Sequence, residues 1–264
     1  MIKQKSINIK FLGIIFFVVL NVCPVYAQDQ NDLIDRLIER SGIYEQVDLL
    51  SSQLQAQMQE WADSGLQKAE SLPEILSQFS KSDALKDKIR NKFNASISME
   101  DAQEVLKWYE SPLALRITQL EKQTATPEAM MAMQQQAENL YSQTQRVEMI
   151  QKLDVATKAT DASMKMVEDL TIVTKIRSTP GVSIEEISSQ AREDIEQYRD
   201  EYKKMTILSF LYAYQNLTDE ELAQYIGFAE SDLGQRYNKA VMDTLGVAFA
   251  DILKLVYQEL SVER

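Results

Sequence analysis

Residues Thr218 to Arg236 read T-D-E-E-L-A-Q-Y-I-G-F-A-E-S-D-L-G-Q-R. Thr218 and Glu221 have capping-box spacing: the hydroxyl accepts from an otherwise unpaired amide, and the acid three residues on answers it. Leu222, Tyr225, Ile226 and Ala229 recur at helical spacing and make one buried face. Ser231 is placed to cap a second helix. Asp232 sets negative charge at the positive end of that helix dipole. Gly234 is small enough for the two helices to approach closely. The stretch predicts a helix, a tight corner and a second helix.

A shifted copy lies 120 residues earlier, at Ser98 to Arg116: S-M-E-D-A-Q-E-V-L-K-W-Y-E-S-P-L-A-L-R. The pairs Glu100/Glu220, Glu110/Glu230, Ser111/Ser231, Leu113/Leu233 and Arg116/Arg236 are identical, where chance gives roughly one. Ser98 with Asp101 repeats the capping spacing. Val105, Leu106 and Tyr109 repeat the apolar face, Pro112 suits a first helical position, and Ala114 stands where the second copy has Gly234. The expected architecture is therefore an all-α helical bundle of two related repeats, each containing a helix-corner-helix motif. Residues 1–27 form a signal peptide, 28–122 the first repeat and 123–264 the second.

The pattern L-T-D-E-E-L followed by F-A-E-S-D-L-G-Q-R resembles the motif of a bacterial exported family called domain of unknown function 2059. Approximately, that motif is L-T-x-E-E-L, an aromatic pair, then S-P-x-G-x-K/R. The second copy departs from it at Ala229 and Asp232. The first supplies Tyr109 and Pro112 but carries Ala114 in place of the glycine. The resemblance implies an all-helical exported protein and brings no catalytic residues. The residues singled out are Glu110, Ser111, Arg116, Glu220, Glu230, Ser231, Gly234 and Arg236, either as a structural motif of corner ion pairs and caps or as an interaction surface.

Lys3, Lys5 and Lys10 precede the apolar run Phe11–Leu20, too short to span a bilayer comfortably. Val25-Tyr26-Ala27 is a small-residue cleavage site. The expected destination is the bacterial periplasm or beyond, by a signal cleaved at about Ala27. Anchoring as a lipoprotein through Cys23 is the rival, but Val22 is a poor neighbour for it. Cys23 is the single cysteine, so cleavage leaves no thiol for disulfides, zinc or nucleophilic attack. No later apolar run has transmembrane length.

The chain has 28 basic and 40 acidic residues, net charge −12. The signal holds three lysines and no acids, so the mature chain is more acidic still. Such a surface repels nucleic acid. The cluster Lys86, Lys88, Arg90 and Lys92 reads as a solvated helix face. There is no histidine, which removes the commonest general base and metal ligand. Scarce glycine and proline beside abundant helix formers suit a helical chain.

Asn31 is expected to cap a first helix ended by Ser41-Gly42. A longer helix runs from about Ile43 to Lys68, Pro73 starts another, and Ser82 caps the next. Thr126-Pro127-Glu128 starts a stretch without Gly or Pro for fifty residues, and a break near Asp154 is favoured there. After the turn Thr179-Pro180-Gly181, Ser183 and Glu186 form a further capping box. Ile184, Ile187, Ala191, Ile195, Tyr198, Tyr202 and Met205 step as one apolar seam. The last helix, from about Asp232 to Leu260, is the candidate core helix.

Met130, Met131, Met133, Met149, Met164 and Met166 invite a thioether copper reading, but methionine is a common core filler. Paired acids arise freely among 40 of them; no nucleophile elbow, phosphate loop or dinucleotide fingerprint accompanies them. No catalytic residue, cofactor or metal is expected. The leading function is a non-catalytic binding or adaptor protein with a protein partner. A carrier of a lipid or small apolar ligand is the alternative, and a carboxylate-dependent hydrolase the third.

Overall fold

A computed structural model describes residues 30–63, 72–124, 126–178 and 182–261. The signal-like segment with Cys23 and the turn at 179–181 lie outside them. The described residues form thirteen α-helices and no strand. They are α1 (Gln30–Ser41), α2 (Ile43–Asp63), α3 (Leu72–Ser80), α4 (Asp83–Ser96), α5 (Met99–Tyr109), α6 (Pro112–Thr124), α7 (Pro127–Tyr141), α8 (Thr144–Thr157), α9 (Ala159–Ser178), α10 (Ile184–Glu196), α11 (Arg199–Ala213), α12 (Asp219–Glu230) and α13 (Asp232–Ser261).

Hydroxyl caps set most of the helix starts. Ser82, Ser98, Thr126, Ser183 and Thr218 each accept from the amide three residues on. That satisfies one of the donors a helix leaves unpaired. α1 begins at Gln30, one residue ahead of the expected cap Asn31. Only Thr218 and Glu221 close the full capping box. Asp101 is one methylene shorter than Glu221 and turns its carboxylate elsewhere.

The stretch after Thr126 is three helices. The first break, at Ser142–Gln143, contains no Gly or Pro; Ser142 Oγ instead donates back to the Asn139 carbonyl at 2.7 Å. The second falls at Lys158, in the left-handed region at φ 55°, four residues beyond the expected position. Asp154 reaches forward across it and accepts from the Thr160 amide at 2.9 Å, capping α9. Gln235 Nε2 and Asn238 Nδ2 of α13 donate to the carbonyls of Ala156 and Thr157, at 2.8 and 2.9 Å. The seam from Ile187 likewise breaks at Gln197–Tyr198, leaving Tyr198 exposed between α10 and α11.

Two large apolar cores result. The first takes Leu33, Leu37, Val47, Leu76, Ile89, Phe93 and Val105 from α1–α5, and is completed by Tyr237, Leu245, Ile252 and Val256 of α13. The second takes Ile150, Leu153, Phe210, Leu211, Leu222 and Ile226 from α8, α11 and α12, and is completed by Ile117 of α6 with Met133 and Leu140 of α7. The last helix of the chain, α13, thus completes the first core, and α6 reaches from the first half into the second. Met164 lies in a third, smaller cluster and Met166 in the first core. Met133 and Met149 pack in the second core and Met131 is exposed. On α4, Lys86 and Lys88 are exposed as a solvated face expects, while Lys88 also pairs with Asp251 of α13 and Arg90 with Asp35 of α1.

Candidate functional site: the two corners

Both corners are built by a serine that serves two helices. At the first, the Ser111 amide donates to the Trp108 carbonyl at 2.9 Å, and Ser111 Oγ accepts from the Ala114 amide at 3.2 Å. At the second, the Ser231 amide donates to the Phe228 carbonyl at 3.1 Å, and Ser231 Oγ accepts from the Gly234 amide at 3.0 Å. Gly234 has no room for a side chain: a Cβ there would lie 2.0 Å from the Phe228 carbonyl oxygen. At the first corner the buried Ala114 is accommodated.

The corners face each other. Trp108 stacks on Phe228 with ring centroids 4.3 Å apart and planes 8° from parallel, and Tyr225 lies beyond the Trp108 ring at 6.5 Å. Trp108 and Phe228 hold the same place in the two motifs. Charged contacts cross the same junction in both directions. Arg116 of α6 reaches Glu221 Oε1 and the Asn216 carbonyl, both at 2.5 Å. Arg236 of α13 forks onto both oxygens of Asp101, at 2.8 and 2.7 Å. The hydrogen bonds from Arg236 hold the Asp101 carboxyl below the usual range.

The expectation of ion pairs within each corner is therefore corrected: the arginines pair across, each with the acid near the start of the other motif's helix. Glu110 pairs with neither arginine of the motif but with Arg36 of α1. Glu220 and Glu230 are exposed on α12; the Glu220 carboxyl is held low by its own amide and by Thr218.

Beneath the stack lies a buried polar seam that periodicity alone did not reveal. Tyr237 OH donates to Tyr109 OH at 2.9 Å, and Tyr214 OH donates to Glu121 Oε1 at 2.7 Å. Burial pushes the hydroxyls of Tyr109, Tyr214, Tyr225 and Tyr237 upward. The only sequence signal for Glu121 was an acid at an inward position of α6, against Val241 at the matching place in α13.

On the solvent side of the junction, α12 presents Ala223, Gln224 and Gly227, and a side chain added at Gly227 would meet nothing within 4 Å. A shallow cavity of about 310 Å³ lies beside it, lined by Gln143, Thr144, Gln145, Arg146, Gln215 and Asp219. Its lining is polar. Arg146 is committed there to Asp219 and to the carbonyls of Tyr214 and Leu217. Among the described residues no cluster of acids could hold a metal ion, and no helix is long and apolar enough to cross a membrane.

Residues 83–143 match the model of the family described as uncharacterized protein conserved in bacteria (DUF2059), the family that the corner motif resembles. The match spans α4 to α7 and thus the first corner, which carries Tyr109 and Pro112; the second corner lies outside it. No curated protein matches the chain, and no solved structure does.

Proposed function

We propose that this is an exported, non-catalytic binding or adaptor protein whose binding face is the junction of its two corners. The observation that carries the reading is the crossed pairing around Trp108 and Phe228. It makes a rigid platform with half-buried aromatic rings at its centre and exposed acids, Glu220 and Glu230, on its rim. Rigid aromatic anchors inside a polar rim are the usual makings of a protein-binding site. The acidic rim suits a basic partner segment. We read the two corners as copies of one motif, whose arrangement about the stack resembles an isologous contact between two subunits. The signal-like residues 1–27 support export.

The test is a photo-crosslinker at Gln224 in cells, with exposed Val155 on α8 as the control position. A partner captured from position 224 but not 155, and lost on Glu220→Lys with Glu230→Lys, supports the proposal. Equal capture from both positions overturns it. Native mass spectrometry of the purified protein supplies the second arm, and a stoichiometric bound lipid would establish the carrier instead.

A further inference from the structure

We infer that Arg40, in the last turn of α1, is the recognition group of an oxyanion-binding site beside the first corner. Arg40 is only 6 % exposed and forms no hydrogen bond or ion pair with any described residue. Every other arginine whose side chain is described (36, 90, 116, 146, 192, 199 and 236) has a carboxylate partner. One turn earlier on the same helix, Arg36 is matched by Glu110. A guanidinium whose stem is covered and whose nitrogens have no counter-charge is an open set of donors for an anion.

Arg40 stands two residues before Gly42, whose φ of 65° turns α1 into α2. In the second half, the residue two before Lys158 is Ala156, which is 5 % exposed. That break buries a small apolar side chain where this one buries a charge. The C-terminal end of α1 favours a cation. The guanidinium nitrogens are not among the fully enclosed unpaired atoms, so solvent, and with it a small anion, reaches the head while the stem is covered. A planar fork of donors selects carboxylate or phosphate oxygens over chloride. This site is independent of the binding face on α12: either can fail while the other stands.

The experiment uses the full mature chain. Thermal unfolding is followed in sodium phosphate and sodium acetate against sodium chloride at matched ionic strength, for wild type and for Arg40→Met. The expected result is a saturable rise in wild-type midpoint with phosphate or acetate that is absent in the variant, with the variant the more stable protein in chloride. Flotation with phosphatidylglycerol vesicles separates the sources: Arg40-dependent flotation identifies a lipid headgroup, and a phosphate response without flotation identifies a soluble anion. A wild type that responds to neither anion overturns the proposal, as does a response that Arg40→Met retains. Should that variant not fold, the wild-type titration and Arg40→Lys, expected to respond more weakly, still decide.

Discussion

Arg236 closes on Asp101 through both carboxylate oxygens, 2.8 and 2.7 Å away, and the position matching Asp101 in the other motif is Glu221, which receives Arg116. One relationship is thus made twice, in opposite directions, with the Trp108–Phe228 stack between. Exposed ion pairs are individually weak, so these bonds set the register of the junction while the rings and cores supply its strength.

Arg116→Glu therefore lowers stability, and adding Glu221→Arg recovers part of the loss. A double-mutant cycle read by urea unfolding should give a coupling of roughly 0.2–1 kcal/mol. Because both groups are partly in water, about 1 M salt should reduce it. A coupling of zero at low salt would mean that the pair makes no contribution to the junction.

Gly234 and Gly227 lie seven residues apart, with opposite surroundings. Gly234→Ala drives a Cβ to 2.0 Å from a backbone oxygen and should cost about 3 kcal/mol, because backbone cannot give way as a side-chain tip can. Gly227→Ala meets open space and should raise stability by about 0.4–1 kcal/mol through the unfolded chain and helix propensity. Urea midpoints of the two variants moving the same way would contradict this.

Lys158 turns α8 into α9 at φ 55°, a conformation that costs an L side chain roughly 1 kcal/mol and glycine little. Lys158→Gly is expected to stabilise by only a few tenths of a kcal/mol, up to about 1, because the freedom glycine has in the unfolded chain offsets part of the relieved strain. Its thermal midpoint, compared with that of Lys158→Ala, checks the claim.

The tyrosines of the buried seam predict an alkaline limit. In the fold, burial raises the hydroxyls of Tyr109, Tyr214, Tyr225 and Tyr237 above the unfolded value. A raised acid contributes stability that is whole below the unfolded pKa, near 10, and is lost as pH climbs toward the folded value. Tyrosinate absorbance should therefore rise in stages, with the seam last and only with unfolding. A single transition with the fold intact would exclude the buried seam. Tyr237→Phe with Tyr109→Phe should soften the last stage.

The corner motif was legible because its determinants are local. Ser111 and Ser231 bond amides three residues away, and Leu222, Ile226 and Ala229 lie on one face because a helix repeats every 3.6 residues. The exposure of Tyr198 was not legible: the period continued through residues 195–202, and only the turn at Gln197 broke it. The break at Ser142 was hidden for the same reason, since neither Gly nor Pro marks it.

By itself the sequence determined that the chain is helical, where most helices begin, and that two corners of like chemistry stand 120 residues apart. Only the tertiary structure decided which arginine meets which acid, that α13 completes the first core while α6 and α7 complete the second, and that Arg40 is buried without a partner. The physical reason is range. Caps and apolar periods act within one or two turns, whereas the partner of a long charged side chain or a core-facing helix depends on how separate elements pack, a choice among surfaces that no single segment specifies.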